Sequence, residues 1–350
     1  FRKWNVKKSL LIRNILIGVV VSSIFLWLAI RDIDLSLAWR EMAGIRWGYV
    51  LLVVVMYAFG VVAMALRWHR LLDRRAPFPR VMHVINLANL INTTIPLRAG
   101  ELVRIYLITQ PPAQQLSGWT VLSTFATERF MDMLTVVFVL AIVPIFLDVP
   151  ASVISMGLIL GGLGLAGFVT LVVFSRKPEW AHQIVDLMGR VIPFLKKIPL
   201  HRFAERLLIG VKPLGSWRGV SSTVLFTGLT WASWLMAVWT LGLAFPEFQP
   251  SAQLYAALAL AVVATTFSTL IPFTIASVGP FETAVIFALG TIGIPQETAL
   301  VYGIILHLVL IVHVILWGMI GMFSTDISIA SMKTAVQESY ARARTVGAQD

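Results

Sequence analysis

Three arginines and three carboxylates crowd two short stretches of an otherwise apolar chain: Arg98, Glu101 and Arg104, then Glu128, Arg129 and Asp132. At membrane depth each ionisable group costs about 2.5–3.5 kcal/mol on insertion scales, so such a cluster calls for a reason. In a helix beginning near Gly100, Glu101 and Arg104 stand at i, i+3 on one side. Glu128 and Asp132 stand at i, i+4, with Arg129 one position round. Opposite charges in equal number pair to near neutrality, which makes burial tolerable. Arginine forks also match phosphate oxygens, and a half-helix starting at Gly100 aims its N–H groups and the positive end of its dipole at the same spot. The pattern points to a site for a charged lipid headgroup. In that reading the carboxylates hold the arginines when the site is empty, or accept a proton or a cationic headgroup. The competing reading is a closed salt-bridge network that joins two helices.

Asn86, Asn89, Asn92, Thr93 and Thr94 come just before a Pro-Leu-Arg-Ala-Gly break at 96–100. Their first use is to satisfy backbone groups freed by that break, and Asn92 is also a candidate headgroup contact. Glu282 is the one carboxylate between Ser251 and Pro295, among Thr265, Thr266, Ser268, Thr269, Thr274 and Ser277. A lone carboxylate in apolar surroundings suits proton coupling; capping the helix that starts after Pro280 is the equal alternative. His307 and His313 have no partner spacing for a metal site, so packing or hydrogen bonding across helices is expected of them. The sequence holds no cysteine, which excludes disulfides and thiolate metal sites. It shows no nucleophile elbow or phosphate loop either. No catalytic residue, metal or cofactor is expected.

The elements that must position these groups are membrane helices. Hydrophobic residues make up 58% of the chain and charged ones 13%, against about 25% charged in soluble domains. A water-exposed surface cannot be made with so little charge. The formal net charge of +11 would suggest nucleic acid in a soluble protein, but the Lys and Arg residues fall mostly between apolar runs, where topology and anionic headgroups account for them. Runs of about 20 apolar residues occupy 10–30, 47–66, 118–147, 151–174, 220–245 and 298–323. The first is read as a retained span rather than a cleaved signal.

Basic segments lie before Arg13, over 67–80, over 176–218 and in the tail, whereas 148–150 and 246–251 carry no Lys or Arg. Basic segments stay in the cytoplasm, which puts both termini there. Parity then requires the interrupted apolar regions 81–108 and 252–294 to enter and leave on the same side. Each becomes a re-entrant hairpin, and the two open to opposite faces. The halves 10–147, with the hairpin at 81–108, and 220–323, with the hairpin at 252–294, form an inverted repeat. The site is expected where the hairpin tips meet near the midplane; two kinked helices in an ordinary bundle are the plain alternative. Residues 176–218 carry Trp180, Ile184, Val185, Met188, Val191 and Ile192 at helical spacing, an interfacial amphipathic pair. A single all-α, polytopic transmembrane domain with about six full spans and a tail over 324–350 is the resulting expectation.

Arg67-Trp68-His69-Arg70-Leu71-Leu72, the string from Asn92 through Pro96, Arg98, Gly100 and Glu101 to Arg104, and Glu128-Arg129-Phe130-Met131-Asp132 together resemble a known signature. It is that of the lysylphosphatidylglycerol synthase transmembrane-region family, the flippase-like membrane part of the multiple peptide resistance factor. Ile271-Pro272 through Gly279-Pro280-Phe281-Glu282 is similar to the family's second-half motif, with Ala276-Ser277-Val278 where more glycine is usual. The resemblance implies movement of lipids or lipid-linked intermediates in envelope biogenesis. Full-length members carry an aminoacyl-transferase domain, so none of that chemistry is expected of this chain.

The combined expectation is a flippase-like protein of a prokaryotic plasma membrane. It would move a phospholipid or polyprenyl-phosphate type amphiphile, with membrane lipids and their anionic phosphate headgroups as partners and a homo-oligomer possible. Arg98, Arg104 and Arg129 would bind phosphate, with Glu101, Glu128 and Asp132 as counter-ions and Glu282 as a gating or proton-coupled group. An intramembrane headgroup transferase, or a non-transporting subunit of an envelope complex, are the alternatives.

Overall fold

A computed structural model describes residues 19–27, 30–31, 33–94, 99–110, 116–191, 200–269 and 274–324. The regular structure among them is helical: α1 Leu35–Ala43, α2 Trp47–Leu71, α3 Phe78–Thr94, α4 Ala99–Ile108, α5 Gly118–Ile142, α6 Ala151–Arg176, α7 Pro178–Val191, α8 Leu200–Val211, α9 Trp217–Gly242, α10 Ala252–Ser268, α11 Pro280–Gly290 and α12 Gln296–Ser324. A further helical stretch covers 19–27. Arg98, the tip prolines Pro96 and Pro272, residues 10–18 of the expected first span and the tail from 325 lie outside the described residues.

Among the described residues four helices, α2, α6, α9 and α12, are long and apolar enough to cross a bilayer. The chain is an all-α polytopic membrane protein. Local sequence sets the helix starts. Ser117, Ser216 and Ser251 each accept a backbone N–H of the first turn of α5, α9 and α10, which satisfies a donor that the helix itself cannot. Helix α2 runs to Leu71, past the expected end at 66, because Arg67-Trp68-His69-Arg70 contains no breaker. It stops only where Asp73 and Arg74 turn left-handed, at φ 55° and 57°. That extension carries Arg67 from an expected loop into the interior.

Both interrupted regions fold back on themselves. Arg80, near the start of α3, donates to the carbonyls of Leu107 in the last turn of α4 and of Gln110 just past it, at 2.7 and 2.8 Å. At the other end Gly100 N–H donates to Asn92 Oδ1 at 2.8 Å. A side chain at Gly100 would collide with the Ala88 carbonyl, 2.0 Å from where its Cβ would lie. Only glycine lets α4 lie so close against α3. Helices α10 and α11 pair in the same way, the start of one and the end of the other lining a common groove through Leu254 and Ile292.

The packing scheme repeats when the halves are exchanged. Helix α2 packs along α9; α3 lies on α12 as α10 lies on α5; α4 touches α5 as α11 touches α12; and α2 touches α12 as α9 touches α5. Buried apolar side chains accordingly form two clusters. One surrounds the first hairpin with Leu87, Val103 and Ile108 beneath Trp68. The other surrounds the second with Leu258, Val285 and Leu289 beneath Tyr302. The polar residues collect between them.

Helix α6 lies outside this repeat and grips α5 through small residues. Gly157 faces Leu140, Gly161 faces Val137 and Gly164 faces Met133, a stripe that lets two helices approach closely where no water drives them together. Its other face exposes Leu158, Ile159 and Leu163. The amphipathic segment forms α7 and α8, and α8 buries Ala204, Gly210 and Val211 against the first half of α5.

Candidate functional site

Glu128 of α5 is 2% exposed and takes two arginines at once. Its carboxylate faces the Arg104 fork, with Nη1 at 2.9 Å from Oε2 and Nη2 donating to Oε1 at 3.2 Å, and lies 3.7 Å from Arg67 Nη2. Arg67 Nη1 also donates to Asp132 Oδ1 at 2.9 Å and to Thr227 Oγ1 at 3.1 Å. Asp132 accepts the Trp231 indole N–H as well, at 3.3 Å. Pairing of this quality offsets the several kcal/mol per ion that burial costs, and losing one partner would leave the others uncompensated.

Arg104 is held by more than charge. Its guanidinium lies 3.6 Å above the Trp68 ring and 4.4 Å from that of Phe125, contacts worth about 2 kcal/mol when dry. The Trp68 indole N–H donates to Thr124 Oγ1 at 3.0 Å, which fixes the ring that carries the arginine. Arg67 and Arg104 are therefore committed to the protein.

Arg129 is placed differently. Its side chain is half exposed, and its nearest carboxylates, Glu101 and Asp132, both stand at 3.9 Å. Glu101 is itself 41% exposed. Contacts this long and this wet contribute little, so the Arg129 fork can exchange partners.

Arg129 opens onto a cavity of about 380 Å³ between the two halves, in the size range of about 300–1,000 Å³ for small-molecule sites. Asn86, Asn89, Asn92 and Thr93 of the first hairpin line it, with Thr265, Thr266, Thr269 and Ser277 of the second. Tyr57, Trp231 and Trp234 form an aromatic wall, the first and last stacked with centroids 6.0 Å apart. Within the lining, Arg67, Arg104 and Arg129 face Glu128 and Asp132, so the charge is 3 − 2 = +1. Asn92 meets the cavity while its Oδ1 serves Gly100.

The tips touch at the edge of this cavity. Ala276 N–H donates to the Thr93 carbonyl at 3.1 Å, and Ile275 N–H donates to Ser22 Oγ at 3.0 Å. Ala276 and Ser277 both hold left-handed backbone, φ 51° and 62°, at a cost of about 1 kcal/mol or more each. Something must hold them there. Glu282 Oε2 accepts the Gly279 N–H at 2.7 Å and so caps α11. Its Oε1 lies 2.6 Å from His307 Nδ1, and His307 Nε2 lies 2.8 Å from the Ala276 carbonyl. Phe281 stacks flat on the imidazole at 4.2 Å.

The structure thus brings Arg104, Glu128, Arg129 and Asp132 together at the cavity, with Glu101 beside Arg129, and sets Glu282 behind the opposite tip. Two participants escaped the sequence reading. Arg67 was counted with a basic loop, and the equal numbers of arginines and carboxylates in the two charged stretches gave no signal of a further partner, yet it pairs with both Glu128 and Asp132. His307 was expected to pack or hydrogen-bond across helices, as it does, but its partner, Glu282 on α11, 25 positions away, was not foreseen. Among the described residues no three His, Asp or Glu side chains gather as a metal site would require.

Residues 15–318 match the model of the family described as the lysylphosphatidylglycerol synthase TM region. The chain is also similar to a UPF0104 membrane protein of Pyrococcus horikoshii, 25% identical over 250 residues that cover 65% of this chain and 71% of that one. No solved structure matches it.

Proposed function

The chain belongs to the lysylphosphatidylglycerol synthase TM region family, and from that premise we propose that it moves a phospholipid or lipid-linked amphiphile across the membrane by its phosphate headgroup. The observation that carries this reading is the half-exposed Arg129 fork facing a cavity lined by both hairpins. In the resting protein Glu101 and Asp132 attend Arg129 from 3.9 Å. An arriving phosphate offers two oxygens in the geometry of the fork and displaces them. The phosphodiester takes over the charge that Glu101 and Asp132 answer in the resting protein, which lowers the cost of carrying the headgroup through hydrocarbon. Arg67, Arg104 and Glu128 keep the cavity walls in register. Arg98 adds a second phosphate contact in this proposal, as the sequence motif implies.

The proposal includes the sidedness drawn from the basic segments: both termini cytoplasmic in a plasma membrane, with the hairpins opening to opposite leaflets. Each hairpin closes the cavity toward one side, and passage requires the tips to part.

Proteoliposomes with headgroup-labelled phospholipid test this. Wild-type protein should transfer label between leaflets, and Arg129→Ala should slow transfer at least tenfold. Chemical change of the headgroup without transfer would make the protein a transferase. No transfer and no binding of labelled lipid would leave it a subunit of some larger assembly and end the transport proposal.

A further inference from the structure

His307 touches two groups, and only one arrangement of protons satisfies both. A carbonyl can only accept, so His307 Nε2, 2.8 Å from the Ala276 oxygen, carries a proton. Nδ1 lies 2.6 Å from Glu282 Oε1; without a proton between them, two lone pairs would oppose each other. The dyad therefore holds two protons. Written as imidazolium and carboxylate or as imidazole and carboxylic acid, it is neutral.

Remove one proton and the dyad becomes an anion with a single N–H to share. The charge draws that N–H to Nδ1, where it answers the carboxylate. Nε2 then turns a lone pair on the Ala276 carbonyl and the bond is lost. Ala276 is the residue whose N–H reaches across to Thr93 on the other hairpin, and it sits in left-handed backbone that this bond helps to hold. Loss of the proton thus frees the tip that closes the cavity.

We infer that Glu282 and His307 form one proton-binding site that latches the two hairpin tips, so that opening of the cavity is coupled to release and rebinding of a single proton. The ligand is the proton, exchanged with water on the side the cavity opens to; no bond in the lipid is made or broken. Among the described residues no second carboxylate or histidine bonds to the dyad. Helix α10 presents hydroxyls at Thr265 and Thr266, α3 presents Asn89 and Thr93, and residues 19–27 present Ser22 and Phe25. On α12 the neighbouring titratable groups are Tyr302, whose hydroxyl donates to the Val238 carbonyl, and His313, packed among Tyr57 and Trp317. The charged groups across the cavity are Arg67, Arg104, Glu128, Arg129 and Asp132. In its link to cargo the inference rests on the transport proposal; the latch does not.

The chain contains no cysteine, so Thr94→Cys with Thr269→Cys places spin labels uniquely at two exposed positions beside the tips. Pulsed EPR distances are then read from pH 5 to pH 9 in lipid nanodiscs. The wild-type background should show one short distance at low pH and a longer population at high pH, their ratio changing about tenfold per pH unit near the midpoint, as one proton requires. Glu282→Gln is the diagnostic variant: its amide still accepts from Gly279 and donates permanently to Nδ1, so the short distance should persist at every pH. His307→Ala should show the long population throughout. A distance independent of pH in the wild-type background, or titration that survives in Glu282→Gln, overturns the latch. Arg129→Ala separates the two proposals: it should stop lipid transfer while the tips still titrate.

Discussion

Around the first hairpin, charge is buried in quantity and offset by multiple pairing, with Glu128 clamped between Arg104 and Arg67 and the Arg104 guanidinium laid on Trp68, although the Nε of each arginine is left without a partner. Around the second hairpin, a single carboxylate is buried with a single histidine 2.6 Å away, and in the proposed latch a shared proton decides whether the pair is neutral. Helix packing is repeated between the halves; the chemistry is not. A network of several fixed charges resists change because moving any member strands the rest. A dyad with one proton changes state when that proton leaves. The repeated packing thus joins one half suited to holding shape and charge with one suited, in the proposal, to switching, and the half-exposed Arg129 lines the cavity that both border.

Removing the central carboxylate on each side tests that contrast most severely. Glu128→Ala strands the buried Arg104 and leaves Arg67 to Asp132 alone, and should cost about 3–5 kcal/mol, whereas Glu282→Ala strands one helix-end N–H and a neutralisable histidine and should cost about 1–3 kcal/mol. Thermal unfolding in detergent ranks them; equal losses would erase the distinction. Next in size is Gly100→Ala, whose Cβ would be driven into the Ala88 carbonyl. It should cost about 1–3 kcal/mol by overpacking, while Gly290→Ala, with nothing within 4 Å, should be neutral in the same assay. Trp68→Phe keeps a ring under Arg104 but loses the indole bond to Thr124, so a loss of about 1 kcal/mol is expected. Smallest in stability is Arg129→Ala. Its contacts at 3.9 Å are half exposed, so folding should change by less than about 1 kcal/mol even as headgroup transfer collapses. A large loss of stability there would move Arg129 into the structural network and leave the cavity without the group proposed to bind the anion.

Much of this was readable in the residues. Serine before each of three helices, glycine at Gly100 and proline at Pro280 are local signals, since each acts on a backbone group a few positions away. The clustering of Glu101, Arg104, Glu128, Arg129 and Asp132 was equally plain, because charge is conspicuous in an apolar chain. Their division of labour was not. Arg104 and Arg129 look interchangeable as letters; one lies dry on Trp68 and the other stands half in the cavity. Arg67 was hidden by a helix that ran one turn beyond the end of its apolar stretch.

By itself the sequence determined the solvent, the helices and the positions where they break, because hydropathy, capping and backbone sterics act over a few residues at a time. Which arginine is spent on the protein, which one remains free, and that Glu282 shares a proton with His307 were decided only when α11 met α12 and α4 met α5. Coulomb and hydrogen-bond energies depend on distance and on the exclusion of water, and neither exists until helices far apart in the chain have packed.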